Sequence, residues 1–352
     1  MSLPSSTTAA VLTALNQPLQ LMEVSLPDTL AAGQVLVKVR YSGICGSQIG
    51  EIDGAKGEDK WLPHLLGHEA SGEVLATGAG VRGVKTGDAV VLHWRKGPGI
   101  EADTPRLSSG DQMINCGAVT TFSRYTIVSE NRVTRIALDS DMQLAALFGC
   151  AVTTGFGVIE NNAKVRIGEA VVVFGAGGIG LNIIQAAALV GAWPVIAIDR
   201  HGNKEALARE LGATHFIDSS KENAESAITR LLPEGVDAFI DNTGQPAIIE
   251  LGYRLCKAQG RVTLVGVPRK GSNINLHSLP LHFGKGLSGS HGGEAEPAID
   301  IPRYQRLLQA GRIQLAPLVT EIFALDEINI AIERMRNGAI VGRCLIDMER
   351  GA

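Results

Sequence analysis

Over residues 34–41, Gln-Val-Leu-Val-Lys-Val-Arg-Tyr, apolar and polar side chains alternate behind Gly33, the period of a strand with one buried face. Residues 72–76 and 88–92 read the same way, with glycines and Asp88 supplying the turns. The first 150 residues are therefore expected to be β-rich. Residues 95–117 carry Gly, Pro, Ser and charge with little periodicity and read as one long loop. The pattern then changes. From 169 to 267, apolar runs at 170–174, 195–198, 215–217, 238–240 and 261–265 alternate with helical stretches. That is the βαβ alternation of a parallel sheet with helices on both faces. Near the C-terminal end, Asp326 is expected to cap a helix over 327–336, Gly338 to stop it, and residues 340–346 to form a strand.

Residues 181–198 are the longest apolar stretch and long enough to suggest a membrane span. Asn182, Gln185, Gly191 and Pro194 interrupt them and Asp199 closes them, so a buried helix followed by a buried strand is expected instead. With 352 residues, 45% of them hydrophobic, two domains are expected, each with its own core. The net charge of −4 is spread along the chain and aromatics are 4%, which leaves no footprint for nucleic acid. No basic stretch followed by an apolar one opens the sequence, so no signal peptide is read. The five cysteines, Cys45, Cys116, Cys150, Cys256 and Cys344, are odd in number and form no CxxC pair. A disulfide framework is not expected, and a reducing cytoplasm fits.

The apolar run 170–174 leads straight into Gly175-Ala176-Gly177-Gly178-Ile179-Gly180, and Leu181-Asn182-Ile183 begins a helix. Gly175 permits the tight turn, Gly177 lets backbone approach a pyrophosphate, and Gly180 allows close helix–strand contact. The helix would then aim free N–H groups and its positive end at the phosphates. Asp199 ends the next strand, where a carboxylate binds a ribose 2′-hydroxyl and repels a 2′-phosphate. This favours NAD over NADP; Arg200 follows and softens that preference, and Lys204 is a second candidate for the adenosine ribose. Upstream, Cys45, His68 and Cys150 offer thiols and an imidazole, the ligand types of a catalytic zinc with one open position. Taken singly, each has the ordinary alternative of a packing residue. A Lewis acid beside a dinucleotide site implies hydride transfer at an alcohol or carbonyl carbon.

Gly67-His68-Glu69, Gly72, Gly78 and Val81 together resemble the zinc signature of the zinc-containing medium-chain alcohol dehydrogenases. The resemblance runs through the glycine turn and on to Pro317-Leu318-Val319-Thr320 and Gly342-Arg343. Phe148-Gly149-Cys150 and Thr121-Phe122-Ser123-Arg124-Tyr125 are most similar to class I and class III members. It implies an α/β fold: a GroES-like β-rich catalytic domain (residues 1–151 and 314–352) and a Rossmann cofactor domain with a doubly wound parallel sheet (152–313). It also implies Cys45, His68 and Cys150 as zinc ligands, Glu69 as a carboxylate that can enter the metal's coordination sphere, and Ser47 as acceptor of the alcohol proton. Thr154, Val265 and Val267 would line the nicotinamide pocket, Arg343 would reach the pyrophosphate, and Trp94 would wall the alcohol pocket.

The chain departs from that family in three places. The family's second, structural zinc uses four close cysteines after Leu92, and residues 93–117 hold only Cys116, so one zinc per chain is expected. Gly50 stands where a relay histidine is common, leaving adjacent Glu51 as a candidate for proton exit. Gln48 replaces an aspartate that orients the zinc histidine, and an amide would hold that ring less strongly. Arg95 and Lys96 either attract an acidic substrate or are solvated loop charges. His64, His93 and His291 are either polar contacts of the pocket or core and surface residues. The substrate is expected to be a secondary alcohol, polyol or sugar, with S-(hydroxymethyl)glutathione as the alternative. A zinc-free quinone or enone reductase and a non-catalytic NAD-binding protein are the rival readings. A homodimer is expected, with a tetramer as the alternative, and neither a nucleic-acid nor a membrane partner.

Overall fold

The computed structural model describes residues 3–351. The chain divides into two compact units: residues up to Cys150 with 296–306 and those from Val319 onward, and Ala151–Ala295 with Leu307–Leu318. Residues 296–306 thus lie with the first unit, whereas the sequence reading carried the second domain through to 313.

In the first unit the strands are β1 (Ser6–Leu12), β2 (Gln20–Ser25), β3 (Gln34–Gly43), β4 (His64–Leu65), β5 (Glu69–Thr77), β6 (Ala89–His93), β7 (Leu107–Ser109), β8 (Gln112–Ile114), β9 (Tyr125–Ser129) and β10 (Val133–Arg135). Helices α1 (Gly46–Ile52) and α2 (Met142–Ala146) interrupt them. One sheet has the order β4-β1-β2-β7-β8. β3 is central because it pairs with both β5 and β9, and side chains on both of its faces are buried. Val35, Val37 and Val39 enter one core with Val74, Val90 and Leu92, while Leu36 joins another with Val11, Val24 and Ile114. The period of 2 seen in the sequence sorts these residues between two cores.

The second unit begins with α3 (Ala151–Gly157) and a π-helical turn, Val158–Ala163. Its strands β11 (Val171–Phe174), β12 (Val195–Asp199), β13 (His215–Asp218), β14 (Val236–Asp241), β15 (Cys256–Leu264) and β16 (Gly286–Gly289) form one sheet in the order β13-β12-β11-β14-β15-β16. Every pairing in it is parallel. α4 (Gly178–Leu189), α5 (Glu205–Glu210), α6 (Ala224–Leu231) and α7 (Pro246–Leu255) are the crossovers. β11 is buried on both faces, hence its unbroken apolar run. Strand order reverses between β11 and β14, the switch point where open α/β sheets bind ligands. α8 (Pro297–Gln309) follows. The chain ends with β17 (Val319–Ala324), α9 (Ile328–Arg336) and β18 (Arg343–Asp347), and β18 pairs with β3.

Three local expectations need correction. Residues 95–117 are not one loop: β7 and β8 form a hairpin around Gly110-Asp111, with Gly110 at φ +56°. Its three-residue strands are too short to show a period. Asp326 does not cap α9; it sits inside a 3-10 turn, where Glu327 Oε2 accepts the Ala324 N–H. The last strand starts at Arg343 rather than 340, because Gly338 and Gly342 both take positive φ. The apolar stretch 181–198 is divided between α4 and β12, and among the described residues no single helix is long and apolar enough to cross a membrane.

Candidate functional site

Three loops of the first unit bring together side chains far apart in sequence. Cys45 follows β3 as the N-cap residue of α1, on extended backbone. His68 sits between β4 and β5, behind Gly67 at φ +96°. Cys150 ends a 3-10 turn at which Gly149 admits no side chain, since a Cβ there would meet Leu92 O at 2.3 Å. The two sulfurs and a ring nitrogen of His68 lie within 4.8 Å of one another. His68 Nε2 is buried and makes no hydrogen bond. A hydrogen bond from the Cys150 thiol, aided by Arg343, holds Cys45 well below the usual thiol range despite its burial. The same bond and burial push Cys150 up. Two thiol sulfurs and an imidazole converging in a buried place are a donor set that suits zinc.

Around these three the arrangement differs in part from expectation. Glu69 is fully buried, with Oε1 3.2 Å from Arg343 Nη1, which also donates to Ile44 O at 2.9 Å. Arg343 is therefore tied beneath the cysteines by that nitrogen, a role the sequence did not indicate. Ser47 is half-buried in the first turn of α1. Gln48 does not orient His68 through its carbonyl: Oε1 accepts the Cys45 N–H at 3.0 Å, closing the loop instead.

Trp94 is half-buried, and its carbonyl accepts a hydrogen bond from Arg132 Nη1. Arg95 stacks over the Trp94 ring, 5.9 Å from its centroid, and Lys96 pairs with Glu101. His93 is a core residue: Nδ1 lies 2.7 Å from Arg95 O and Nε2 2.9 Å from Thr134 Oγ1. His64 is buried beside Asp59, and His291 is exposed in a turn where Gly292, Gly293 and Glu294 all have positive φ.

In the second unit, β11 passes through Gly175 (φ +100°) into α4. A Cβ at Gly180 would stand 1.9 Å from Gly175 O, whereas one at Gly177 would meet nothing within 4 Å. The glycine turn is thus closed on the strand side and open above the helix. No side chain caps α4, so its first N–H groups stay available. Those features fit a bound pyrophosphate. Asp199 Oδ2 accepts from Ala176 N and Lys204 Nζ, each at 2.9 Å, and Oδ1 from His201 N at 3.0 Å. The carboxylate so links β12 to the glycine turn. Arg200 is exposed, Gly178 and Ile179 form the first turn of α4, and Thr154 is buried in α3. Val265 N donates to Asp241 O, and Val267 is 62% exposed.

Asp241 went unnoticed in the sequence. It is buried at the end of β14 and accepts from Thr243 N, Thr243 Oγ1 and Gly244 N, which shapes the loop beside Gly175. Burial raises its pKa. Its place at a strand's carboxyl end was the only signal available.

The sequence model described as an alcohol dehydrogenase GroES-like domain matches residues 31–137, and that of a zinc-binding dehydrogenase matches 178–310. Alcohol dehydrogenase class-3 of Cereibacter sphaeroides is 32% identical over 94% of this chain and 97% of its own length. S-(hydroxymethyl)glutathione dehydrogenase of Paracoccus denitrificans shows the same identity and the same two shares. The crystal structure of benzyl alcohol dehydrogenase from Acinetobacter calcoaceticus superposes with a TM-score of 0.89, at 29% identity, covering 98% of this chain and 100% of that one.

Proposed function

The chain belongs to the zinc-containing medium-chain alcohol dehydrogenases, oxidoreductases acting on CH–OH groups, and we propose that Cys45, His68 and Cys150 hold its one catalytic zinc while NAD binds at the Gly175–Gly180 turn. The observation that carries this is the meeting of two thiol sulfurs and a ring nitrogen of His68 within 4.8 Å, on an imidazole whose buried Nε2 has no hydrogen bond. The same convergence weighs against a zinc-free quinone or enone reductase. The reaction is the interconversion of an alcohol and its aldehyde or ketone. A secondary alcohol, polyol or sugar is the substrate favoured; S-(hydroxymethyl)glutathione is supported by the name of the Paracoccus denitrificans relative.

Bound there, the zinc supplies a Lewis acid at the substrate oxygen and NAD supplies the hydride acceptor. The chain's own residues do the rest. Ser47 Oγ takes the proton of the alcohol hydroxyl, and Glu51, one turn further along α1, receives it on the way to solvent. Glu69 and Arg343 set the charge beneath the thiols. Asp199 would hold a ribose hydroxyl, with Arg200 and Lys204 as further contacts at that end, and the N–H groups of Gly178, Ile179 and Gly180 would hold the phosphates. Thr154, Val265 and Val267 would line the nicotinamide pocket. Trp94, braced by Arg132, narrows the space left for substrate. The enzyme works in the cytoplasm, whose reducing poise keeps its buried thiols free. It forms a homodimer through β16, the sheet edge, next to which Leu279, Leu281 and Phe283 are exposed.

Metal content of the purified protein tests the centre. Wild type is expected to hold one zinc per chain and Cys150→Ala far less, with loss of NAD-coupled alcohol oxidation. Zinc-free wild type that still reduces enones would replace this reading with the metal-free one.

A further inference from the structure

A second group of metal-ligating side chains meets in the first unit, made of residues the catalytic reading does not use as ligands. Glu51 lies in the last turn of α1, Asp59 in the connection that follows, and His64 at the start of β4. One carboxylate oxygen from each acid and one ring nitrogen of His64 lie within 4.8 Å of one another. His64 is 7% exposed, and its backbone is pinned. It pairs with Leu12 of β1; Leu65 N donates to Asn115 O at 3.0 Å, and Asn115 Nδ2 donates to Trp61 O at 2.7 Å.

The surroundings orient these groups as a coordination sphere is oriented. His64 Nδ1 lies 3.0 Å from Leu65 O, an acceptor only, so Nδ1 carries a proton and donates it. That leaves Nε2 facing the cluster, 2.8 Å from Asp59 Oδ2. The other Asp59 oxygen, Oδ1, accepts the Trp61 N–H at 2.9 Å. A metal-bound imidazole nearly always donates its far N–H to a carbonyl or carboxylate, and ligating carboxylates are themselves hydrogen-bonded. Both supports come from backbone outside the cluster. Charge points the same way. Two carboxylates share one imidazole, and even a doubly protonated ring offsets only one of them. Among the described residues no hydrogen bond or ion pair holds the Glu51 carboxylate, and the other cation acting on Asp59 is Lys56, itself exposed.

We propose that Glu51, Asp59 and His64 bind one exchangeable divalent cation, zinc or manganese, beyond the one zinc that the purified protein retains, and that this cation ties the connection between α1 and β4 to α1. One nitrogen and two carboxylate oxygens suit a borderline or hard cation, not the soft one that thiolates select. Glu51 and Asp59 are partly exposed, so water has access to complete the sphere. In this arrangement Glu51 is a cation ligand first, and its service in proton exit is conditional on the site being empty.

The test uses the zinc-loaded enzyme titrated with Mn2+, free ion being counted by electron paramagnetic resonance. Wild type is expected to bind one Mn2+ per chain. His64→Asn and Glu51→Gln are each expected to weaken that binding by about tenfold or more. In parallel, cobalt exchanged into the Cys45–His68–Cys150 centre reports through its thiolate charge-transfer band. That band is expected to be unchanged in both variants and lost in Cys150→Ala, so failure of one centre is read apart from failure of the other. If His64→Asn does not fold, Glu51→Gln carries the test, since no side-chain bond is lost with it. No Mn2+ or Zn2+ bound beyond the first ion at millimolar concentration, or equal affinity in wild type and both variants, overturns the proposal.

Discussion

His64 and His93 are buried and His68 is half-buried, and what each ring nitrogen faces decides its work. His68 keeps Nε2 without a partner among thiols, and His64 faces carboxylates. His93 has both nitrogens spent on Arg95 O and Thr134 Oγ1, and burial pushes its pKa down to about 4. The folded chain therefore keeps His93 neutral where the unfolded chain would protonate it. Folding loses that contribution as pH falls from about 6.5 to about 4, by roughly 3 kcal/mol over the whole interval. Urea unfolding of wild type and His93→Gln at pH 7.5 and pH 5 checks this. The variant is expected to be the less stable at pH 7.5 and to lose less on acidification; parallel losses would place the titration elsewhere. In the sequence His93 stood between pocket contact and core residue, because neither Thr134 nor its burial is visible from residues 92–96. Arg95 and Lys96 were likewise undecided until their partners, the Trp94 ring and Glu101, came into view.

Among the elements, the connection from β6 to β7 shows how a segment without cysteines is held. Glu130, following β9, accepts Arg82 N and Gly83 N on Oε1, each at 2.7 Å, and Ile100 N on Oε2 at 2.8 Å. Burial would raise its pKa, but the N–H groups of Ile100, Arg82 and Gly83 outweigh that and keep it below the usual carboxylate range. Gly99, at φ +108°, leaves room for the carboxylate, which a Cβ would meet at under 3 Å. Arg132 adds hydrogen bonds to Trp94 O and Glu101. Glu130→Ala removes the acceptor of three part-buried N–H groups and is expected to cost roughly 1–3 kcal/mol in urea unfolding, with Glu130→Gln in between. An unchanged midpoint would mean that packing alone holds the connection. This clamp was not legible, since its partners lie 30 to 48 residues from Glu130. The β11–Gly175–α4 run was legible for the opposite reason: strand, turn and helix follow one another directly, and Asp199 closes the next strand.

Across the whole molecule, the two-unit division and the parallel sheet follow from the change of period near residue 150, and the family resemblance supplied the rest of the fold. What neither could show is the chain's return to the first unit at 296–306, because α8 runs through that boundary without a break in its pattern. The edge strand β16 was also unread, its Gly-Leu-Ser-Gly being too short and too glycine-rich to signal a strand. With Phe283 68% exposed beside that edge, Phe283→Glu with Leu281→Glu is expected to shift sedimentation from dimer to monomer. A monomeric wild type, or an undisturbed dimer in the double variant, would move the interface elsewhere. The Glu130 clamp has one more consequence. A tie made of carboxylate and amide has no thiol to oxidise and no ion to surrender. Removal of the proposed zinc, or oxidation of Cys45 and Cys150, would therefore leave the Glu130 tie and the loop it holds as they are.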